Sequence, residues 1–158
     1  MTNQFQNFLA VIDALNKYNV DYILVGGVAV ILQGLERLTR DIDIFIKSDP
    51  ENITHLRSAL HSVFDDPSID EITADELKKY AVIRYGTPEG FYIDIMTKLG
   101  EAFSYQDLEY ETIEYSGIKI KIATPEMLFI MKKDTVRLQD KIDALFLEAI
   151  IKQRKTKN

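Results

Sequence analysis

Phe5, Phe8, Leu9, Ile12 and Leu15 recur at the spacing of one helical face, which predicts an amphipathic helix over residues 4–18. The apolar run "YILVGG" ends on two glycines and suits a buried strand, and "VAVILQGLE" after it reads as a short helix despite its β-branched residues. The period then drops to two. In "RLTRDIDIFIK" (37–47), Ile42, Ile44 and Ile46 alternate with Asp41, Asp43 and Phe45, the pattern of a strand with one apolar face. Asp49 precedes Pro50 and the spaced residues Ile53, Leu56, Leu60 and Phe64; a cap, a first-turn proline and that period predict a helix.

The stretch "DDPSIDEITADE" reads as a polar, turn-rich connection into a brief helix near 74–80. "AVIRYGT" and "FYIDIMT" flank "PEG" as the strands of a hairpin, and "YETIEYSGIKIKIAT" predicts a second, turning at Ser116 and Gly117. Thr124 and Pro125 open a helix carrying Met127, Leu128, Ile130 and Met131. The final helix is expected to bury Ile142, Leu145, Phe146, Ala149 and Ile150. These elements predict an α+β fold, a mixed sheet flanked by helices, and no repeat or linker divides the 158 residues, so one domain is expected.

Composition narrows the chemistry. Apolar residues at 46% and charged residues at 28% are ordinary for a soluble protein, and the absence of Cys excludes disulfides and thiolate zinc sites. No apolar run reaches membrane-spanning length and the start lacks a signal-peptide pattern, so a cytoplasmic protein with no membrane association is the expectation. The net charge of −6 argues against a surface that binds nucleic acid indiscriminately. Its exception is "KQRKTKN", and residues 152–158 are expected to be a basic, disordered tail. His55 and His61 fall on different faces of their predicted helix and make no zinc pair, and no G-x-S-x-G nucleophile elbow is present.

Asp is a poor strand former, yet Asp41 and Asp43 share one edge of the same strand, where they repel. A divalent cation between them would turn that repulsion to use, and Mg²⁺ takes carboxylate oxygens while leaving room for water and phosphate. Asp94 in "FYIDIMT" is again flanked by isoleucines; on a strand about 4.8 Å away it would complete a three-carboxylate cluster of the kind a two-metal phosphoryl-transfer site requires. Gly26 and Gly27 end a strand and open a helix, where backbone N–H groups hold phosphate oxygens or where the chain simply turns. Neither a P-loop nor a dinucleotide fingerprint is present.

"GGVAVILQGLERLTRDIDIFI" resembles the core motif of the nucleotidyltransferase superfamily with the DNA polymerase β-like fold, in which a Gly-Gly or Gly-Ser pair precedes Asp-x-Asp; thirteen residues lie between Gly27 and Asp41 here. The approach "RLTRDID" is similar to the AbiEii-like branch, which includes toxins of type IV toxin–antitoxin systems. Ile93-Asp94-Ile95 matches the branch's third carboxylate, and "MKKDTVRLQDKIDAL" resembles its C-terminal motif through Lys132, Arg137, Asp140 and Asp143. Three positions depart from the pattern: Gln139 replaces a Lys, Val136 a small residue, and Gly27 the frequent Ser.

The resemblance implies the polymerase β-like fold and a two-metal nucleotidyltransferase moving an NMP from ATP or another NTP to a hydroxyl. Asp41, Asp43 and Asp94 would be its catalytic metal ligands, for two Mg²⁺ ions or Mn²⁺, and Gly26, Gly27, Arg40 and Lys132 its nucleotide contacts. The toxin-like form implies an RNA acceptor such as tRNA, or a protein, and an antitoxin partner. A small-molecule enzyme resembling the lincosamide and aminoglycoside nucleotidyltransferases is the alternative, and a retired module that only binds nucleotide is a third.

Overall fold

The computed structural model describes residues 4–100, 103–133 and 137–157. Helix α1 (Gln4–Lys17) leads to β1 (Tyr22–Val25), α2 (Gly26–Leu32) and β2 (Asp41–Ile46), followed by α3 (Pro50–Phe64) and α4 (Ala74–Lys79). A hairpin of β3 (Val82–Gly86) and β4 (Tyr92–Met96) comes next, then the short strands β5 (Lys98–Leu99) and β6 (Phe103–Ser104). The chain finishes with β7 (Tyr110–Tyr115), β8 (Ile118–Ala123), α5 (Pro125–Lys132) and α6 (Leu138–Thr156). Six strands form one mixed sheet in the order β3-β4-β2-β1-β8-β7. β2 runs parallel to β4 and antiparallel to β1, and β8 is parallel to β1.

Local chemistry explains the boundaries. Asp49 accepts the Asn52 N–H (2.8 Å) and Thr124 that of Met127 (3.1 Å), each followed by a proline in the first turn, so α3 and α5 begin where cap and proline place them. Ser116 and Gly117 both take positive φ (49° and 78°), the requirement of a two-residue hairpin loop, and β7 and β8 pair around them.

The isoleucines of β2 and β4 build the core. Ile42, Ile44, Ile46, Ile93 and Ile95 are fully buried, and alternation sends Asp41, Asp43 and Asp94 to the other face. The isoleucine face is covered by α1 and α3, whose Phe8 and Phe64 rings close edge-on or tilted on Phe91 at 5.2 and 5.9 Å. Buried Asn52 ties this layer to the strands. Its amide donates to the carbonyls of Asp21 (3.0 Å) and Lys47 (2.8 Å) while its oxygen accepts the Asp21 N–H (2.7 Å). One side chain thereby closes the backbone where β1 starts and β2 ends.

The turn-rich connection after α3 contains a 3₁₀ turn at Pro67–Glu71, which Asp66 opens by accepting the Ser68 N–H. Two expectations are corrected. Residues 152–156 are no disordered tail but the last turns of α6: Arg154 anchors them to β7 through Glu111 (3.1 Å) and to Gln33 (3.1 Å). The face of α6 turned inward is Asp140, Asp143, Ala144 and Leu147, whereas Ile142 (44%) and Leu145 (71%) are exposed. Partnered aspartates share the inward face with Ala144 and Leu147.

Replacing Asn52 by Ala strands three backbone groups at once. Asn52→Ala is expected to lower the unfolding free energy by about 2–3 kcal/mol, read as a shifted midpoint with an unchanged slope in urea denaturation.

Candidate active site

The polar face of β2 and β4 carries the site, and strand register assembles it. Asp43 lies directly beside Asp94 across the parallel β2–β4 pair, and Arg84 on β3 lies directly opposite Asp94 across the antiparallel β3–β4 pair. Directly paired residues point to the same side. Asp41, two residues before Asp43, points with them. The three aspartates singled out by the sequence therefore sit together on one surface.

Gly26 is indispensable to that arrangement. It follows Val25, the β1 partner of Asp43, at φ +71°, and a Cβ there would overlap the Asp43 carboxylate. The neighbouring Gly27 leaves its space to Arg37, whose guanidinium nitrogen would lie 2.9 Å from any added Cβ. A serine at that position, as in many relatives of the resembled superfamily, would have to displace it.

Burial raises the Asp43 pKa to about 7, and its contact with Asp94 and the charge of Asp41 push the same way, while Lys132 opposes them. Charge compensation comes from Arg84. Its Nε and a terminal nitrogen grip both oxygens of Asp94 (2.9 and 3.0 Å), the terminal nitrogen also reaches Asp41 (3.2 Å), and the guanidinium lies 4.8 Å from the centre of the Tyr92 ring. These carboxylates hold the Arg84 pKa above its ordinary value, Asp94 foremost.

A second charged cluster adjoins the first. Asp143, fully buried, accepts from Lys132 (2.7 Å), Arg37 (2.8 Å) and Gln139 (2.9 Å), and Lys132 also donates to Asp140 (3.1 Å). Buried Arg37 Nε has no hydrogen-bond partner among the described residues. Gly27, Arg37, Lys132 and Asp140 line a cleft of about 100 Å³ together with Asp41, Asp43, Arg84 and Asp94. Of the sequence-derived residues, Lys132 thus stands in the cleft on a carboxylate pair. Gly26 abuts Asp43 beneath it. Arg40 is exposed and outside the lining, and Arg37 enters instead. Val136 lies outside the described residues.

The sequence reading missed Arg84 and Arg37. Arg84 carried a signal, an arginine on the strand paired with the Asp94 strand, but which strand positions face each other depends on register. The donor chemistry fits a hard divalent ion: carboxylate oxygens gathered on one face, one of them driven up in pKa by burial and by its acidic neighbours. As the side chains stand, no three acidic or histidine groups among the described residues are arranged to hold a metal, and Arg84 is what occupies Asp41 and Asp94.

Comparison with known proteins agrees with the fold. The family model described as "Nucleotidyl transferase AbiEii toxin, Type IV TA system" matches residues 8–142. No curated protein matches the chain in sequence. Among solved structures, the lincomycin-bound lincosamide antibiotic adenylyltransferase LnuA superposes with a TM-score of 0.60 at 18% identity, over 92% of this chain and 96% of that one. ANT(2″)-Ia in complex with adenylyl-2″-tobramycin gives 0.56 at 13%, over 99% and 94%. An antigenic nucleotidyltransferase-like protein from Paracoccidioides brasiliensis gives 0.56 at 20%, over 90% and 75%. At these identities the likeness is one of fold.

The Asp43 shift dictates a pH dependence. Without metal, the folded protein keeps a proton on Asp43 between the ordinary 3.8 and about 7, where the unfolded chain has lost it. Stability therefore falls as pH rises through that window. Asp43→Asn should flatten the dependence and raise metal-free stability at pH 8 by roughly 2 kcal/mol, measured by denaturation in chelator at pH 5 and pH 8.

Proposed function

The chain belongs to the AbiEii nucleotidyl transferase family, and on that premise we propose that it transfers an NMP from an NTP to a hydroxyl of an RNA acceptor, as a toxin-like enzyme held in check by an antitoxin. The observation that carries this reading is the register of Asp43 with Asp94, which gathers three mutually repelling carboxylates over the Gly26 turn. A protein without use for a cation has no reason to keep that repulsion at the edge of its core.

Asp41 and Asp43 would hold two Mg²⁺ ions, with Mn²⁺ able to serve, and Asp94 would complete the set. Bound there, divalent ions neutralise the triphosphate and lower the pKa of the acceptor hydroxyl. Asp94 takes the hydroxyl proton. The freed oxygen bonds to the α-phosphorus of the NTP, the bond from that phosphorus to the β-phosphate oxygen breaks, and pyrophosphate leaves with the electron pair. Backbone N–H groups at Gly26 and Gly27, with the cations Lys132 and Arg37 behind them, receive the phosphate oxygens; positioning and electrostatics account for most of such catalysis.

A second observation favours a polyanionic acceptor. The folded chain gathers Lys47, Lys78, Lys79 and Lys98, scattered in sequence, around a cavity of about 670 Å³ at the far ends of β2 and β4. Lys47 pairs with Asp49 at 3.5 Å, whereas Lys78, Lys79 and Lys98 form no ion pair among the described residues. Lys47 stands six positions beyond Asp41 and four beyond Asp43, roughly 13–20 Å along an extended strand. That distance is too far for the triphosphate in the cleft and well within the span of a folded RNA. Lysines of this kind contact phosphates irrespective of base.

Transfer of α-labelled NTPs to total tRNA, with cell lysate and small hydroxylated compounds as comparison acceptors, tests the proposal directly. Label is expected on RNA in the presence of Mg²⁺, reduced at least about a hundredfold in Asp43→Ala. Label on protein or small molecules alone overturns the acceptor. The Lys78→Glu, Lys79→Glu, Lys98→Glu triple variant should lose RNA labelling and show a shallower salt dependence, while its melting shift with NTP stays that of the unaltered chain.

A further inference from the structure

Arg84 is the strongest cation contact of the carboxylate site, and its side chain closes no part of the apolar core. β3 is the edge strand of the sheet, its neighbour being β4 alone, and the Arg84 side chain is 54% exposed. The core beneath is closed by Tyr85 on the opposite face of the strand, whose hydroxyl donates to Asp66 (2.7 Å). Among the described residues, the three hydrogen bonds of the Arg84 side chain all end on Asp41 and Asp94. It stands where the like charge of the site is greatest, as a planar fork on two oxygens of one carboxylate and one of another.

Two consequences follow from that geometry. Both Asp94 oxygens and one Asp41 oxygen are engaged by the guanidinium, so a divalent ion that takes those oxygens must first displace it: guanidinium and metal compete for the same atoms. Once displaced, Arg84 remains tethered beside the cleft on a long side chain, and the same planar fork that matched a carboxylate matches a phosphate group.

Resting on the nucleotidyl transfer reading, we propose that Arg84 is a positioning residue of this site, a resident cation that holds Asp41 and Asp94 together until metal arrives and then passes to the phosphates of the incoming NTP. The exchange costs little net charge, since one cation leaves the carboxylates as another enters and the departing one meets the triphosphate's added negative charge. Tyr92 supports the arm from below through its ring face, which favours a guanidinium over an ammonium.

Competition with metal separates this role from a merely structural one. Mn²⁺ binding to the metal-free protein, followed by the loss of the free-ion spin-resonance signal, should be about tenfold tighter in Arg84→Ala than in the unaltered chain, because the competitor is gone. In transfer assays the same variant should raise the KM for NTP about tenfold or more with a smaller change in kcat. Arg84→Lys, which keeps the charge but not the fork, should bind Mn²⁺ near the unaltered affinity and still show the raised KM; it also serves if the alanine variant folds poorly. Mn²⁺ affinity in Arg84→Ala equal to or weaker than that of the unaltered chain overturns the competition. An unchanged KM overturns the passage to phosphate. Asp43→Asn is the control for the site itself: Mn²⁺ affinity unaltered by it removes the metal site and the functional reading with it, whereas weakened binding there beside no gain in Arg84→Ala rejects the Arg84 role alone.

Discussion

Like-charge repulsion among Asp41, Asp43 and Asp94 is the constraint around which the local structure is arranged. Strand pairing brings Asp43 and Asp94 side by side, and hydrogen bonds along β2 and β4 are strong enough in sum to keep them there against the electrostatic cost. The same cost selects the surroundings. A glycine at position 26 gives the Asp43 carboxylate its space, an arginine on the edge strand offsets the charge, and burial holds Asp43 partly protonated near neutral pH. None of these features is explained by the isoleucine layer on the opposite face, and on their own face the apolar packing of Phe45 and Ile23 does not need them.

The second cluster shows the same physics with the charges matched, two cations on two carboxylates. Asp143 has no exposed surface, and a lone carboxylate so placed would have to neutralise itself. Here it collects Lys132 from α5, Arg37 from the chain before β2 and Gln139 from its own helix. A buried group so partnered contributes less to net stability than to geometry, because removing any one partner leaves another charge uncompensated. It fixes the C-terminal helices to the approach of β2, and so sets one wall of the cleft relative to the other. This wall is also why α6 turns Ile142 and Leu145 outward: its inward positions are taken by residues that must reach Lys132 and Arg37.

How far the sequence alone reached follows the range of the forces involved. Strands and helices with local signals were legible: the cap and proline pairs at Asp49–Pro50 and Thr124–Pro125, the Ser116–Gly117 turn, and the isoleucine alternation of β2. The aspartate cluster was legible too, because three strand-unfriendly residues in isoleucine frames are a local anomaly with one economical cause. Arg84 was not, since its meaning depends on sitting opposite Asp94 rather than opposite a neighbour one step away. Nor was the inward face of α6: hydrophobic periodicity assumes that aliphatic residues face in, and a buried lysine and arginine made aspartates the better inward residues. The lysines at 47, 78, 79 and 98 looked dispersed for a similar reason, as nothing short of the tertiary structure brings the ends of β2 and β4 beside α4. Arg154, within a stretch that reads as a solvated end, is held by Glu111, more than forty residues earlier in the chain.

The dimensions of the cleft bear on what it recognises. Sites that enclose a whole small ligand run to about 300–1,000 Å³, whereas the space among Asp41, Asp43, Asp94 and Lys132 is about 100 Å³ and lined almost entirely by charged side chains. On the proposed function such a space takes ions and the reacting phosphates, and the nucleoside lies on the open surface beyond it. Recognition by charge, concentrated where the bond is exchanged, requires the positive and negative groups of the cleft to be positioned before the substrate arrives. The ion pairs of the cleft, with Arg84 on one carboxylate pair and Lys132 on another, provide that positioning, and on the proposed function the substrate and its ions replace them.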